Sequence, residues 1–475
     1  MKDNSLKKNY LYNLIYQVFI IITPFITTPY VSRVLGASAI GEYSYGLSIA
    51  TYFGIIGTLG ITTYAQIAIG KNKNTDNVSG VIGELFITKC ITMIIAILFY
   101  LLILVLFMSN KKLFFVLLLY LLSQFNDVSW ILQGLEQFKK LVFRNIITKI
   151  FSIVLIFILV KNSCDIYKYT MIMQGVLFIG NFLLWPYVWD YIKPSHLKNC
   201  YNINNIKCHL KNSIIFFVPT VATMVYTVLD KSMIGWITHS SLQNGYYEQA
   251  HKIEQIIVVI ITSLGTVTLP RISYLNSVNK ISDIKNLIAK SIHFVLFLSI
   301  PMCFGLIAIS NNLIPVFLGN GYDECIILLK IFSVLLIIVG LDNIIGRQCL
   351  MAMEKQKQYN VGVILGALVN VIINLLLIPK YGAIGAAISS VISEVIILFI
   401  FATFSMNYLK NIKIGIVIKF FISSIIMFVL VSKIHFPQLS SVIELLFRII
   451  IGGLVYFVIN IDFIGNNISS IISRK

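Results

Sequence analysis

Charge is scarce in this sequence. Of its 475 residues, 12% are Asp, Glu, Lys or Arg, against about 25% in a typical soluble chain. A soluble chain of this length would fold as two or more domains and would need polar surface to cover them. That excludes a cytosolic enzyme, a secreted protein and a disordered tail. Acidic residues are the scarcest, 19 against 37 Lys and Arg, for a formal net charge of +18. Such a balance can signal nucleic acid, but the basic residues do not gather on one patch with interleaved aromatics. They sit singly or in twos and threes between apolar runs, so no nucleic acid partner is expected. The seven cysteines (Cys90, Cys164, Cys200, Cys208, Cys303, Cys325, Cys349) are scattered and none forms CxxC. An odd, dispersed set argues against a disulfide framework, and they read as small apolar fillers.

Catalytic motifs are missing as well. There is no G-x-x-x-x-G-K-[ST], since Gly70-Lys71-Asn72 does not complete one, and no H-E-x-x-H or G-x-S-x-G. The chain therefore carries no ATPase of its own, and no cofactor, metal or enzymatic activity is expected.

What the sequence has is long apolar runs, 58% hydrophobic residues in all. Runs of 18 or more apolar residues read as membrane-spanning helices. Fourteen spans are predicted, at about residues 11–31, 44–68, 81–108, 113–132, 142–160, 171–191, 214–236, 253–272, 292–309, 326–345, 359–378, 384–404, 414–431 and 442–461. The expected fold class is an all-α polytopic membrane protein, with no room in its loops for a folded soluble domain. Lys2, Lys7 and Lys8 before the first run mimic a signal peptide, but the run is too long for one, so it reads as a retained first helix.

Orientation follows from Lys and Arg at the span ends. With the N-terminus inside, about 23 of them fall on inner segments and 7 on outer ones. That bias supports an even number of spans with both termini cytoplasmic. The halves resemble each other. Gly41-Glu42-Tyr43 with Ala50 opens the second span, and Gly245-Tyr246-Tyr247 with Ala250 opens the eighth. Gln133-Gly134-Leu135-Glu136-Gln137-Phe138-Lys139 follows the fourth, and Leu350-Met351-Ala352-Met353-Glu354-Lys355-Gln356 follows the tenth. Six spans separate the copies, an even number, so this is a parallel repeat about the membrane normal. The expected organisation is an N-terminal lobe at 1–192, a cytoplasmic linker at 193–211, a C-terminal lobe at 212–408 and two extra helices at 409–475. The lobes are expected to enclose a central site. A monomer is expected, because the repeat already supplies the two-fold pairing.

Ionisable residues in or beside apolar spans mark candidate sites, because a charge at mid-helix costs about 2.5–3.5 kcal/mol on insertion scales. They are Arg33, Glu42, Asp127, Asp230, Lys231, Glu248, His251, Lys252, Glu254, Asp342, Arg347 and Glu394. Glu248, His251 and Lys252 share one helix face. Two readings fit them: an intrahelical ion pair near the interface, or a cationic lining whose charge the carboxylates set. Asp230-Lys231 reads as a snorkelling helix end or as part of that lining. Arg33 and Arg347 read as interface anchors or as phosphate ligands, since a guanidinium grips a phosphate bidentately. Helix breakers mark similar places. Pro24 and Pro29 interrupt the first span and Pro219 falls early in the seventh, its counterpart in the repeat.

Pro29-Tyr30-Val31-Ser32-Arg33-Val34-Leu35-Gly36, then Gly41 and Tyr43, resembles the opening signature of the Wzx-type polysaccharide flippases of the multidrug/oligosaccharidyl-lipid/polysaccharide exporter superfamily. Asp127-Val128-Ser129-Trp130-Ile131-Leu132-Gln133-Gly134-Leu135-Glu136 is similar to that family's fourth-span motif. Leu229-Asp230-Lys231, Gly245-Tyr246-Tyr247-Glu248, Leu269-Pro270-Arg271-Ile272, Leu318-Gly319 and Tyr381-Gly382-Ala383-Ile384-Gly385-Ala386-Ala387 continue the likeness in order over nearly the whole chain.

The resemblance implies a two-lobed bundle of the bacterial cytoplasmic membrane that alternates between inward- and outward-open states. It implies undecaprenyl-pyrophosphate-linked oligosaccharide repeat units as substrate, membrane lipids as surroundings, and a polymerase and glycosyltransferases of the same pathway as partners. On that reading a cationic cavity would hold the headgroup through Arg33, Lys231, His251, Lys252, Arg271 and Arg347. Asp127, Asp230, Glu248, Asp342 and Glu394 would balance charge or carry a coupling ion. The alternatives are a cation-coupled drug antiporter of the same fold, which would want an acidic cavity, and a membrane-embedded glycan polymerase.

Overall fold

The computed structural model describes residues 2–72, 78–108, 110–192, 203–263, 265–436, 438–463 and 465. Among these the regular structure is helical throughout, with no strand. Ten helical stretches are long and apolar enough to cross a membrane. Two of them, 51 and 53 residues long, each hold two predicted spans. The seventh predicted span lies within the helix Ile203–Thr238, and the eighth covers parts of the helices Ser241–Thr262 and Gly265–Ser277. The chain is an all-α, multi-pass membrane protein, and a count of fourteen spans accommodates all of these helices. Many large apolar side chains are exposed, Leu98, Phe143, Phe399 and Leu376 among them, as lipid-facing positions require.

The chain divides into two compact units, Met1–Gly245 and Tyr246–Lys475. The first opens with α1 (Lys2–Thr58) and α2 (Ile61–Asn72). The helical hydrogen bonding of α1 continues through Pro24 and Pro29, and the backbone turns sharply only at Gly36 (φ 76°, ψ 167°). That pair of angles is open essentially to glycine alone. Hydroxyls near both prolines bond back to helix carbonyls one turn earlier. Thr23 Oγ1 donates to the Phe19 carbonyl at 2.7 Å, and Ser32 Oγ to that of Thr28 at 2.8 Å.

Next come α3 (Val78–Phe107), α4 (Lys111–Asn126), the short α5 (Ser129–Gly134), α6 (Phe138–Leu159), α7 (Ile166–Phe182) and α8 (Trp189–Ile192). The unit's last long helix is α9 (Ile203–Thr238). The predicted linker 193–211 lies outside the described residues up to 202, and from Ile203 it forms the first turns of α9. This helix packs along α1, α2 and α3. Two buried clusters hold the unit. One, around Tyr43, Tyr100, Leu117 and Tyr169, joins α1, α3, α4 and α7. The other, around Ile69, Leu85, Trp130 and Leu184, joins α2, α3 and α5.

Helix α10 (Ser241–Thr262) begins in the first unit and continues into the second. Its start crosses α1 at very short range. A Cβ on Gly41 would lie 1.7 Å from the Ser241 carbonyl oxygen, and one on Gly245 would lie 1.9 Å from that of Ala37. Only glycine allows this approach.

The second unit continues with α11 (Gly265–Ser277), α12 (Ile281–Phe317), α13 (Glu324–Ser333) and α14 (Leu335–Asp342). A nine-residue π-helix, Asn343–Met351, follows directly. Then come α15 (Gln356–Ser405), which reverses direction at Gly382 (φ 56°, ψ −129°), α16 (Ile414–Lys433) and α17 (Ser441–Ile459). The last two pack on α12. Tyr456 Oη donates to the Phe297 carbonyl at 2.9 Å. A buried Arg448–Glu444 pair at 2.7 Å also reaches Asn312 of α12.

Candidate functional site

The eleven residues that the resemblance assigns to the cavity and its balancing acids fall into two groups. Arg33, Asp127, Asp230 and Lys231 belong to the first unit. Arg33, on α1 three residues before the Gly36 break, has an exposed side chain. Asp230 is 2% exposed, and its neighbour Lys231 is half-buried. The carbonyl of Lys231 accepts from Asn244 Nδ2 at 2.7 Å, which ties the end of α9 to the start of α10.

Asp127 sits at the break between α4 and α5. Its carboxylate accepts from the first residue of the new helix, at Ser129 N and Ser129 Oγ, both at 2.9 Å. Its carbonyl accepts from the buried Lys89 ammonium and, at 3.1 Å, from Trp130 Nε1. The acid therefore has a structural post in this conformation.

In the second unit, α10 presents one charged turn. Lys252 Nζ pairs with Glu248 Oε1 at 3.2 Å, one turn apart, the ion pair that the spacing allowed. His251 stacks on Tyr247 at 5.8 Å, and both rings meet Phe332 edge-on. Tyr247 Oη lies 3.2 Å from Ser390 Oγ on α15. Below this turn Glu254 is 1% exposed, and only its Oε2 is bonded, by Gln255 Nε2 at 3.1 Å.

Arg271 on α11 is exposed, with its guanidinium 5.7 Å from the Tyr274 ring. Arg347 is exposed on the π-helix. Asp342 ends α14 just before that helix; it is 9% exposed and both carboxylate oxygens lack a hydrogen-bond partner. Glu394 is buried on the second half of α15. A pattern runs through both groups. The arginines are exposed, and most of the carboxylates are buried.

The intramembrane-charge rule applied to the sequence also reached residues that were not singled out. Glu84 and Lys89 lie in the predicted third span, and Glu444 and Arg448 in the fourteenth. Glu84 bonds to α9, Lys89 holds the α4–α5 break, and Glu444–Arg448 anchors α17. Gln249, fully buried with both amide atoms unpartnered, carried no charge to betray it.

Residues 6–276 match the model of a family described as "Polysaccharide biosynthesis protein". The chain belongs to that family. The Wzx-type resemblance read in the sequence is borne out by this match and by the relatives. The chain is 22% identical over 408 residues to the "Putative O-antigen transporter" of Escherichia coli (strain K12), covering 85% of this chain and 97% of that one. It is 26% identical over 279 residues to the "Probable low-salt glycan biosynthesis flippase Agl15" of Haloferax volcanii, covering 57% and 56%. Among solved structures it matches "Lipid II flippase MurJ, inward closed conformation" with a TM-score of 0.75 at 17% identity, over 97% of this chain and 100% of that one. At that identity the likeness establishes the fold.

Proposed function

We propose that this family member is a flippase. It carries undecaprenyl-pyrophosphate-linked oligosaccharide repeat units from the cytoplasmic to the outer leaflet of the bacterial cytoplasmic membrane, by alternating access, for surface polysaccharide synthesis. The observation that supports this most is the alignment over 97% of the length of a protein named as an O-antigen transporter. The charge pattern agrees. A bare pyrophosphate in hydrocarbon is prohibitively costly, and exposed or half-buried cations at Arg33, Lys231, His251, Lys252, Arg271 and Arg347 would remove that barrier. Half-buried Asp127 and buried Asp230, Glu248, Asp342 and Glu394 would balance this charge or carry a coupling ion. No covalent chemistry is needed. Within this proposal the repeat units are 1–192 and 212–408, the chain acts as a monomer with both termini cytoplasmic, and pathway glycosyltransferases and a polymerase work beside it.

The test is reconstitution in vesicles with a fluorescent undecaprenyl-pyrophosphate-linked oligosaccharide on both leaflets. A membrane-impermeant glycosidase should digest nearly all of the label when the protein is present and about half when it is absent. Digestion of half in both cases would overturn the proposal. Efflux of cationic dyes instead would move the assignment to a drug antiporter.

A further inference from the structure

At one end of the first unit, five polar side chains from three helices form a single hydrogen-bonded chain. His209 of α9 places Nε2 2.9 Å from Glu84 Oε2 of α3 and Nδ1 3.1 Å from the Tyr64 hydroxyl of α2. Asn212 Nδ2 donates to that hydroxyl at 3.2 Å, and Asn205 Nδ2 donates to Glu84 Oε1. With Nε2 donating to the carboxylate, Nδ1 accepts from Tyr64, and each donor in the chain finds an acceptor. The His209 and Glu84 side chains are only 12% and 15% exposed.

Backbones meet beside this chain. A Cβ on Gly60, at the α1–α2 junction, would lie 2.6 Å from Ser213 O and from Phe217 N of α9. Tyr64 also faces Phe216 at 6.0 Å. Lys71 lies in the last turn of α2, and Lys207 and Lys211 flank His209 on α9, at the end that the positive-inside bias puts in the cytoplasm.

We infer that Glu84, His209 and Tyr64 form a latch holding the cytoplasmic end of α9 against α2 and α3, and that its release opens cytoplasmic access. This rests on the alternating-access reading above. The chemistry suits a reversible contact. Hydrogen bonds at an aqueous edge exchange for bonds to water at small net cost, whereas unmade buried ones are expensive. Closing the latch therefore satisfies every member, and opening it into water strands none. An apolar seam there would resist reopening.

The test uses the full chain in lipid nanodiscs, with its native cysteines replaced and spin labels on cysteines introduced at the exposed Lys71 and Lys207. Pulsed electron–electron distances are recorded without substrate, so the result does not depend on what is carried. The parent should give one short distance. Glu84→Gln and His209→Ala should each add a longer population, shifting the open-to-closed ratio on the order of tenfold. The double variant should shift no further than the larger single, because both break the same bond. Tyr64→Phe, which removes one oxygen and spares the fold, should move the ratio the same way by less. A thermal transition in each variant checks folding. Parent-like distances in folded Glu84→Gln and in Tyr64→Phe would overturn the latch. Shifted distances in a chain that fails the vesicle assay would keep the latch and remove the carrier reading.

Discussion

Arg33 and Lys231 differ from the other cations in their setting. Arg33 lies three residues before a backbone break, and Lys231 follows a buried aspartate at the end of α9. A charged hydrogen bond to phosphate is worth about 1.5–3 kcal/mol, so losing two should weaken headgroup capture on the order of 100-fold or more. Replacing both by Ala should abolish glycan export in a complementation assay while membrane abundance stays level. Full export by the double variant would take both out of the site. Asp342 poses the opposite case. Its carboxylate is buried with neither oxygen bonded, so Asp342→Asn removes a potential charge without breaking any contact. The thermal transition should hold or rise slightly. If this acid carries the coupling ion, transport falls sharply at the same time. Unchanged transport would make it a passive core residue.

Between residues and the whole molecule, the helices show what the pattern could and could not disclose. Hydropathy marks the spans well, because a bilayer leaves a helix few other options. It also marks the Glu248–Lys252 turn, whose ion pair follows from one-turn spacing. It misplaces the break in α1. Proline signals a kink, yet the sharp turn comes at Gly36, where no proline stands. The π-helix after Asp342 left no trace in sequence, since one extra residue in a turn changes neither composition nor period enough to see. The partners of Glu84 and His209 were also hidden, because helices far apart in sequence meet only in the fold.

These breaks make a testable claim. Gly382→Ala forces an alanine into a region that costs about 1–3 kcal/mol, and the thermal transition in detergent should fall accordingly. The Glu444–Arg448 pair predicts more. Arg448→Ala removes the 2.7 Å partner of Glu444 and leaves its Oε1 to His435 Nδ1 at 2.9 Å, so the thermal transition should fall, whereas replacing both Arg448 and Glu444 by apolar residues of similar size should lower it less. Equal losses in both variants would mean that packing, not charge, holds α17 on α12.

For the molecule as a whole, the proposed direction in the membrane rests on the distribution of charge. About 23 Lys and Arg lie on one set of loops and 7 on the other, and insertion keeps the richer set inside. This arithmetic needs an even number of spans. The ten apolar helical stretches alone would not decide that number, because two hold a pair of spans each and α9 and α10 also reach spanning length. If α9 and α10 both cross, the C-terminus returns to the cytoplasm. If only one does, every loop after it changes side, and the lysines around α12 and the π-helix face outward. Reporters decide between these cases. Alkaline phosphatase fused after residue 411 should be inactive and a green fluorescent protein there should glow, with the reverse after residue 435. An active phosphatase at 411 together with a glowing protein at 435 would mean that α9 or α10 fails to cross. The Glu84–His209 chain would then have to serve a purpose other than guarding a passage.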